Sequence, residues 1–160
     1  MVERVSAGIL LYRRADGPSG RLEVLLAHPG GPYFANRDVG DWTIPKGEPD
    51  VVGEPLANVA RREFEEETGT ALDAAAPTIE LGTIVQKGGK VVHAWAIEGD
   101  LDPATAHSNE FEAEWPPRSG QWQLFPEIDR VAWFDPDEAR RRIKPTQMPF
   151  IDRLEAALRG

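Results

Sequence analysis

The sequence predicts a mixed α/β (α+β) fold in a single domain that spans residues 1–160. The length is that of one ordinary domain, since domains usually hold about 100–200 residues. Short apolar runs that are typical of strands alternate along the chain with segments of helical periodicity. Stretches rich in Gly, Pro and Asp separate these segments, and no internal repeat is present. Such interleaving predicts a sheet that packs against helices.

The composition excludes several classes of protein. The chain has no cysteine, which excludes a disulfide scaffold, a thiol nucleophile and a zinc site with cysteine ligands. It carries 27 acidic and 18 basic residues, a formal net charge of −9, which argues against nucleic-acid polymers and anionic membranes as partners. No apolar run approaches the roughly 20 residues of a membrane span, and the start lacks the pattern of a signal peptide. We therefore expect a cytoplasmic protein with a small-molecule partner; its oligomeric state stays open, with a homodimer as one option.

The N-terminal part predicts a hairpin followed by a long loop. The apolar runs Val5–Tyr12 and Leu22–His28 predict two strands, joined by a turn at Asp16-Gly17-Pro18. Pro29–Asp41 is rich in Gly, Pro, Asn and Asp and predicts a loop. A brief strand is expected within Trp42–Pro45.

The clearest helix prediction covers Pro55–Thr68. Pro55 is expected at the first helical position and Gly69 at the position after the C-cap. Leu56, Ala60 and Phe64 recur at helical spacing and should form the face that packs on the core.

The C-terminal half predicts three further strands and two helices. The strands are expected at Thr78–Val85, Val91–Ile97 and Val131–Phe134. Asp135 should cap a helix that Pro136 opens, because an aspartate oxygen can accept from a free amide of the first turn. A last amphipathic helix is expected near Phe150–Leu158, and the polar segment Gly99–Gly120 is expected to be irregular.

The predicted helix carries an unusual concentration of acid near its C-terminal end. Glu63, Glu66 and Glu67 lie three and four residues apart and therefore share one helical face. The carboxylates repel one another, and the helix macrodipole disfavours negative charge at this end. A solvated acidic face is one interpretation. A bound divalent cation is the other, and hard oxygen ligands favour Mg²⁺, with Mn²⁺ as an alternative.

These residues belong to a segment that resembles the Nudix box. The box reads Gly-x5-Glu-x7-Arg-Glu-U-x-Glu-Glu-x-Gly-U, where U is a bulky aliphatic residue. The chain has Arg62-Glu63-Phe64-Glu65-Glu66-Glu67-Thr68-Gly69, and Glu54 precedes Arg62 by the same x7 spacing. Two positions depart from the pattern. Six residues instead of five separate Gly47 from Glu54, and Thr70 replaces the final aliphatic residue.

The resemblance implies a fold, a reaction and a set of site residues. The fold is a Nudix-type α/β/α sandwich with a mixed central sheet, and the reaction is the hydrolysis of a nucleoside diphosphate linked to a further moiety. Carried over to this chain, Glu63, Glu66 and Glu67 hold Mg²⁺ together with a backbone carbonyl at Lys46-Gly47. Arg62 orients Glu63, and Glu54 supports Arg62.

A general base is also required, and the resemblance places it on a box glutamate or on a glutamate of a later loop. The segment Asn109–Trp115 offers alternating carboxylates, of which Glu112 and Glu114 are our candidates for the base or for an additional metal ligand. The same alternation fits a plain half-buried strand equally well.

The substrate is less constrained by the sequence. Pro45-Lys46-Gly47 resembles the lead into the box in diadenosine polyphosphate hydrolases, so Lys46 is a candidate phosphate ligand. Arg37 and Arg118 are further candidates, and Tyr33 lies in a loop from which it could stack on a base. A dinucleoside polyphosphate is one candidate substrate. The alternatives are a pyrophosphohydrolase that cleans oxidised nucleoside triphosphates and a non-catalytic Nudix-like nucleotide sensor.

Overall fold

The computed structural model describes residues 4–17 and 20–160, so Pro18 of the predicted turn lies outside the described residues. The strands are β1 Val5–Arg14, β2 Leu22–Pro29, β3 Lys46–Gly47, β4 Thr78–Val85, β5 Val91–Glu98, β6 Glu110–Glu114, β7 Trp122–Pro126 and β8 Ile128–Phe134. The helices are α1 Leu56–Thr68, α2 Pro136–Arg142 and α3 Met148–Arg159. Strands and helices interleave along the chain, as the sequence predicts.

The central sheet is mixed and has the strand order β4-β5-β1-β2-β8, with β3 paired to β1 as its sixth strand. Strands β1 and β5 run parallel, whereas the remaining neighbours in this sheet are antiparallel. Strands β6 and β7 form a separate antiparallel pair. The predicted mixed central sheet is therefore confirmed.

Helices cover both faces of the central sheet. Successive side chains of β1 point to opposite faces because the strand is pleated. One set packs with α1 in a buried cluster that includes Ala7, Ile9, Leu11, Val59, Ala60 and Phe64. The other set packs with α2 and α3 in a cluster that includes Leu10, Tyr12, Ala139, Ile143, Phe150 and Leu154. We call these the α1 face and the α3 face; together they make the predicted α/β/α sandwich, which is confirmed.

Helix α1 begins one residue later than the sequence predicts. Pro55 occupies the N-cap, with φ −58° and ψ 132°, and is not the first helical residue. Gly69 ends the helix in the left-handed region at φ 77°, as expected, and its amide donates to the Glu65 carbonyl at 2.8 Å. Phe64 is fully buried. The helix is thus fixed at its C-terminal end and by its apolar face.

The brief strand predicted within Trp42–Pro45 is present only as isolated bridges: Thr43 and Ala27 of β2 exchange backbone hydrogen bonds of 2.8 and 2.9 Å, and Trp42 pairs with Ile143. A side chain from the other end of the protein also holds the segment. The buried Gln147 accepts a hydrogen bond from the Ile44 amide at 3.0 Å and donates one to the Thr43 hydroxyl at 2.9 Å. This clamp fixes the chain just before it enters β3.

The prediction of an irregular segment over Gly99–Gly120 is wrong in part. Glu110–Glu114 forms strand β6, and it pairs with β7. The cap predicted for the following helix is confirmed, because the Asp135 carboxylate accepts from the Glu138 amide at 2.8 Å. None of the helices in the described parts of the chain combines the length and the apolar composition that crossing a membrane requires.

Candidate functional site

Strand β3 brings the backbone of Gly47 against the acidic side of helix α1. Gly47 pairs with Ala7, whose side chain belongs to the α1 face. A Cβ atom built on Gly47 would lie 2.1 Å from the carboxyl carbon of Glu63. Glycine is therefore required for the Glu63 carboxylate to reach this backbone.

Arg62 gathers several carboxylates around its guanidinium group. It donates to the Glu63 carboxylate at 2.9 Å and to both oxygens of Glu54, at 3.1 and 3.2 Å. Longer contacts of 3.4 Å reach Glu66, and Asp50 lies 3.1 Å away. The hydrogen bond to Glu54 is the leading cause that raises the pKa of Arg62. This arrangement is the one that the resemblance implies for Arg62 and Glu54.

Glu67 is the most deeply buried carboxylate of the cluster, with 6% of its surface exposed. Its pKa is raised to about 9, first by burial and then by the charges of the neighbouring Glu63 and Glu127 carboxylates. Lys46 acts in the opposite direction but does not compensate. An ionised Glu67 therefore needs an additional positive charge nearby.

Glu127 is a member of this cluster that the sequence analysis missed. Glu127 is exposed, but partial desolvation of its carboxylate and the charge of Glu66 raise its pKa. Three backbone hydrogen bonds fix its position: the Asn109 amide donates to the Glu66 carbonyl at 2.9 Å, the Glu127 amide to the Asn109 carbonyl at 2.8 Å, and the Gly30 amide to the Glu127 carbonyl at 2.8 Å. No local motif marks Glu127, since these contacts join residues that are far apart in sequence.

The carboxylates predicted on β6 have other surroundings. Glu114 accepts hydrogen bonds from the amides of Arg118 and Gly120, at 3.0 and 3.1 Å, within the loop of its own hairpin. Glu112 is exposed and lies opposite Leu124 of β7. The neighbouring carboxylate from outside α1 that raises the pKa of Glu63 and Glu67 is Glu127. Glu110–Glu114 is thus a strand, and the role of Glu112 and Glu114 at the site stays a prediction.

The candidate substrate ligands do not form one group. Lys46 is half-buried, and its pKa is lowered to about 8 by burial first and then by the charges of Lys90 and Lys144. Arg37 lies 3.5 Å from Asp41 on its own loop. Tyr33 is exposed and meets Trp115 edge to face, at 5.4 Å between ring centroids.

Arg118 lies in the loop that joins β6 and β7, where its φ is 61°. Its amide donates to Glu114, and Trp115 lies at the other end of the same loop. The structure therefore brings Tyr33 to the β6–β7 hairpin, where Arg118 also lies.

The donor set of the acidic cluster fits a hard divalent cation in its chemistry. Glu63, Glu66, Glu67 and Glu127 offer carboxylate oxygens. The pKa of Glu67 is raised by burial and then by neighbouring carboxylates, and a cation would oppose both effects. Within residues 4–17 and 20–160, however, no three acidic or histidine side chains converge closely enough to hold an ion as they stand. Arg62 instead contacts Glu63 and Glu66.

A cavity of about 430 Å³ opens beside Glu66. It is lined by Arg62, Glu65, Glu66, Gly69, His107 and Asn109. The cavity gives a water molecule or a phosphate group access to the outer side of the acidic cluster. An acidic cluster with such access, next to a buried carboxylate of raised pKa, has the features of a hydrolytic site.

Comparisons with known proteins agree with this geometry. A sequence model described as the NUDIX domain matches residues 2–154. An Ap4A hydrolase from C. elegans, solved as a binary complex, superposes with a TM-score of 0.67 at 22% identity, covering 97% of this chain and 98% of that one. No curated protein sequence matches at a significant level.

Two further solved structures are similar. The NUDIX domain of Shewanella oneidensis NrtR, complexed with ADP ribose, has a TM-score of 0.68 at 14% identity and covers 99% of this chain and 90% of that one. A mutT/nudix family protein from Listeria innocua has a TM-score of 0.62 at 18% identity, with coverage of 99% and 96%. At these identities the likeness is one of fold. The family is shown by the match over nearly the whole chain, and the protein belongs to the NUDIX family of phosphoanhydride hydrolases.

Proposed function

We propose that this protein hydrolyses a phosphoanhydride bond of a nucleoside polyphosphate in a Mg²⁺-dependent reaction, with Mn²⁺ as an alternative cation. The observation that carries the proposal is the packing of the Glu63 carboxylate against Gly47, with the buried Glu67 within reach of the Glu63 charge. A soluble nucleotide is the partner we propose. We further propose that residues 1–160 act as one domain in the cytoplasm.

The metal would be held by Glu63, Glu66 and Glu67 together with the backbone at Gly47. When bound, it would neutralise phosphate charge and lower the pKa of an attacking water. Arg62 keeps the Glu63 carboxylate oriented through the 2.9 Å hydrogen bond, which fixes one donor before substrate arrives. Burial of Glu67 keeps bulk water away from the inner side of the site.

Glu127 is the side chain that we propose as general base. Its carboxylate lies near Glu66, and a raised pKa makes a carboxylate a stronger base. The backbone hydrogen bonds through Asn109 fix this carboxylate relative to α1. Glu112 and Glu114 remain weaker candidates, because Glu114 already accepts two backbone hydrogen bonds.

A dinucleoside polyphosphate is our first candidate substrate. Support comes from Lys46 beside the acidic cluster and from the fold shared with the C. elegans Ap4A hydrolase. Lys46, Arg37 and Arg118 would contact phosphates, and Tyr33 would contact a base. The finer alternative, a pyrophosphohydrolase for oxidised nucleoside triphosphates, uses the same acidic cluster.

A non-catalytic sensor is the alternative from a different class, since the NUDIX domain of NrtR, which shares the fold, was solved with ADP ribose. The complete set of box carboxylates in this chain favours catalysis, because binding alone does not require Glu63, Glu66 and Glu67 together. Binding of a nucleotide with no turnover would decide for the sensor.

The test is a panel of nucleotides incubated with Mg²⁺ in heavy-oxygen water, with products identified by mass. Glu66→Gln is expected to lower kcat by about a thousandfold, because it removes a donor that acts on developing charge. Glu98→Gln is the matched control, since Glu98 is an exposed glutamate at the end of β5 and does not line the cavity beside Glu66. The proposal fails if both variants hydrolyse the best substrate at the wild-type rate.

A further inference from the structure

The loop that joins β3 and α1 presents two valines to solvent. This is the loop in which the chain carries one residue more than the Nudix box, and Val51 and Val52 lie within it. Val52 is fully exposed, and 64% of Val51 is exposed. The loop therefore has an apolar tip that its own chain does not cover.

The polar groups of the same loop explain why the valines point outward. The Arg62 guanidinium group donates to the Glu48 carbonyl at 3.2 Å and lies 3.1 Å from the Asp50 carboxylate. The Asp50 amide donates to the Glu54 carboxylate at 3.0 Å. Because these contacts hold the polar groups on the side of α1, the valines between them are left on the outer side. The tip is thus anchored to α1 from beneath.

A row of three further valines lies beside this tip on the central sheet. Val5 of β1 pairs with Val91 of β5, and Val91 pairs with Val85 of β4. Residues directly opposite each other in a sheet point to the same face, so the three side chains form a row across three strands. Val5 lies two residues before Ala7 of the α1-face cluster, which places the row on the α1 face.

The outer strand of the sheet is uncovered on this face. The residues of β4 that point to the α3 face are buried or half-buried, namely Ile79, Leu81 and Ile84. The residues that point to the α1 face are exposed, namely Thr78, Glu80, Thr83 and Val85. Helix α1 therefore shields the middle of the sheet and leaves the end of the valine row in contact with solvent.

A cavity connects the loop tip with the valine row. Its volume is about 630 Å³, and its lining includes Val5 of the row, both valines of the tip and Leu56 of α1. We call the tip and the row together the valine patch, which consists of Val5, Val51, Val52, Val85 and Val91. Contiguous exposed apolar patches are typical of protein–protein interaction sites. The patch is therefore a candidate contact surface with a raised part and a hollow part.

Charged residues of opposite sign border the two parts of the valine patch. Glu48 and Asp50 flank the tip, and both side chains are exposed. Arg4, Lys87 and Lys90 lie within two residues of the row in sequence. Arg4 and Lys90 approach Glu48 only to 3.8 Å. The tip is thus bordered by acidic residues and the row by basic residues.

We propose that the valine patch binds a second copy of this chain through a two-fold interface. In such an interface both copies use the same surface, so the tip of each copy lies on the row of the other. Val52 then enters the apolar cavity of the other copy, and Asp50 faces its Arg4. A partner with charge of one sign meets like charge at one of the two parts, whereas a second copy matches both. The inference is independent of the proposed function, since it concerns association and not turnover.

The first experiment measures the oligomeric state by sedimentation equilibrium over about 1–100 μM protein. The wild type is expected to form dimers within this range. Val52→Asp is expected to raise the dissociation constant about a hundredfold, because it places a charge in an apolar contact. Val39→Asp is the matched control, since Val39 is exposed in the loop between β2 and β3, outside the patch, and this variant should associate like the wild type.

Reciprocal charge changes test the two-fold arrangement. Arg4→Glu alone brings acid opposite Asp50 at both contacts, and Asp50→Arg alone brings base opposite Arg4. Each variant by itself should therefore dimerise about tenfold more weakly than the wild type. An equimolar mixture of the two variants restores opposite charges at both contacts, so it should form mixed dimers with a dissociation constant near that of the wild type.

Thermal unfolding at a concentration where the wild type is monomeric checks that the variants are folded. Because the substituted side chains are exposed, each Tm should match that of the wild type. A wild type that stays monomeric over the whole range would overturn the proposal and leave the patch to a different partner. Equal association of Val52→Asp and Val39→Asp would also overturn it, because the dimer would then use another face. A mixture of the charge variants that associates no better than either variant alone would contradict the two-fold geometry.

Discussion

The two sides of the β1–β3 edge carry opposite charge, although they are separated by a strand of two residues. On the α1 face, Gly47 meets Glu63 and the buried Glu67. On the α3 face, Lys46 meets the charges of Lys90 and Lys144. Because neighbouring side chains of a strand point to opposite faces, the dipeptide Lys46-Gly47 places an acidic and a basic group at one edge.

The two charged groups differ in the kind of ion that would stabilise them. Each group is unfavourable by itself, since the pKa of Glu67 is raised and that of Lys46 is lowered, in both cases chiefly by burial. A cation would relieve the acidic group, and an anion would relieve the basic one. A polyphosphate chelated to a divalent cation supplies both. Variants on the α1 face should therefore change the rate of reaction, and variants on the α3 face should change affinity.

The largest effect is expected for Glu67→Gln. Loss of this carboxylate should lower kcat by about a thousandfold with a smaller change of KM, since it acts where charge develops. Thermal unfolding without metal should show that the variant is folded and more stable than the wild type, because a group with an unfavourable charge is removed. A fall in Tm together with a kcat near that of the wild type would contradict the expectation that the α1 face controls the reaction rate.

Gly47→Ala and Gly8→Ala test the same edge from its two sides. The new Cβ at residue 47 would displace the flexible end of Glu63, so kcat should fall by about a hundredfold with little change in stability. The new Cβ at residue 8 would lie 2.6 Å from the Pro45 carbonyl oxygen, which is backbone, so this variant should lose about 1–3 kcal/mol of unfolding free energy. Steady-state kinetics and urea denaturation of both variants check the pair. Equal losses of unfolding free energy in the two variants would contradict the expected difference between the two sides of β3.

The acidic group could be predicted from the sequence, whereas the basic group could be predicted only in part. Glu63, Glu66 and Glu67 share a face through helical spacing alone, and Gly69 marks the end of their helix. Lys144, by contrast, reaches Lys46 because the chain is clamped by Gln147, a contact across about a hundred residues that no local pattern reports. Residues that meet only through tertiary packing leave no periodic signal.

Glu127 and the β6–β7 pair also have surroundings that no local sequence pattern predicts. Glu127 approaches the cluster because its amide donates to the Asn109 carbonyl and the Asn109 amide donates to the Glu66 carbonyl, so its neighbours are set by backbone pairing between distant segments. Strand β6 alternates carboxylates with apolar residues, a pattern that fits a half-buried strand and an acidic site equally well. The sequence predicts the start of α1 one residue early, because a proline can occupy either the N-cap or the first helical position.

A smaller effect, on affinity, is expected for Lys46→Met. The variant removes the charge that faces Lys90 and Lys144 while keeping a long apolar side chain beside Gly8. KM for a polyphosphate substrate should rise about tenfold with a kcat within about threefold of the wild type. Kinetics with substrates of different phosphate number check this, and the increase in KM should grow with chain length. A decrease in kcat alone would show that Lys46 acts on the reaction rate, as the α1 carboxylates are expected to do.

The smallest expected effect is on the pH dependence of the unfolding free energy, because Glu67 and Lys46 should change it in different pH ranges. The pKa of Glu67 is about 9 in the folded protein against an ordinary value of 4.5, so between these values the folded state binds more protons than the unfolded state. Its contribution is present below about pH 4.5 and is lost as the pH rises towards 9. The pKa of Lys46 is about 8 against 10.5, so its contribution is present above about 10.5 and is lost as the pH falls through 8.

Without metal, the Tm of the wild type should therefore fall between pH 5 and 8, by about 2–4 °C for each kcal/mol that is lost. Glu67→Gln should flatten this fall, and saturating Mg²⁺ should flatten it in the wild type. Lys46→Met should leave the slope below pH 8 unchanged and alter it only above. Differential scanning calorimetry of the three proteins in EDTA provides the measurement. If Tm changes with pH equally in the wild type and in Glu67→Gln, the Glu67 charge does not destabilise the folded protein. Responses in separate pH ranges would show that Glu67 and Lys46 contribute to stability independently, although the charge of each acts on the other.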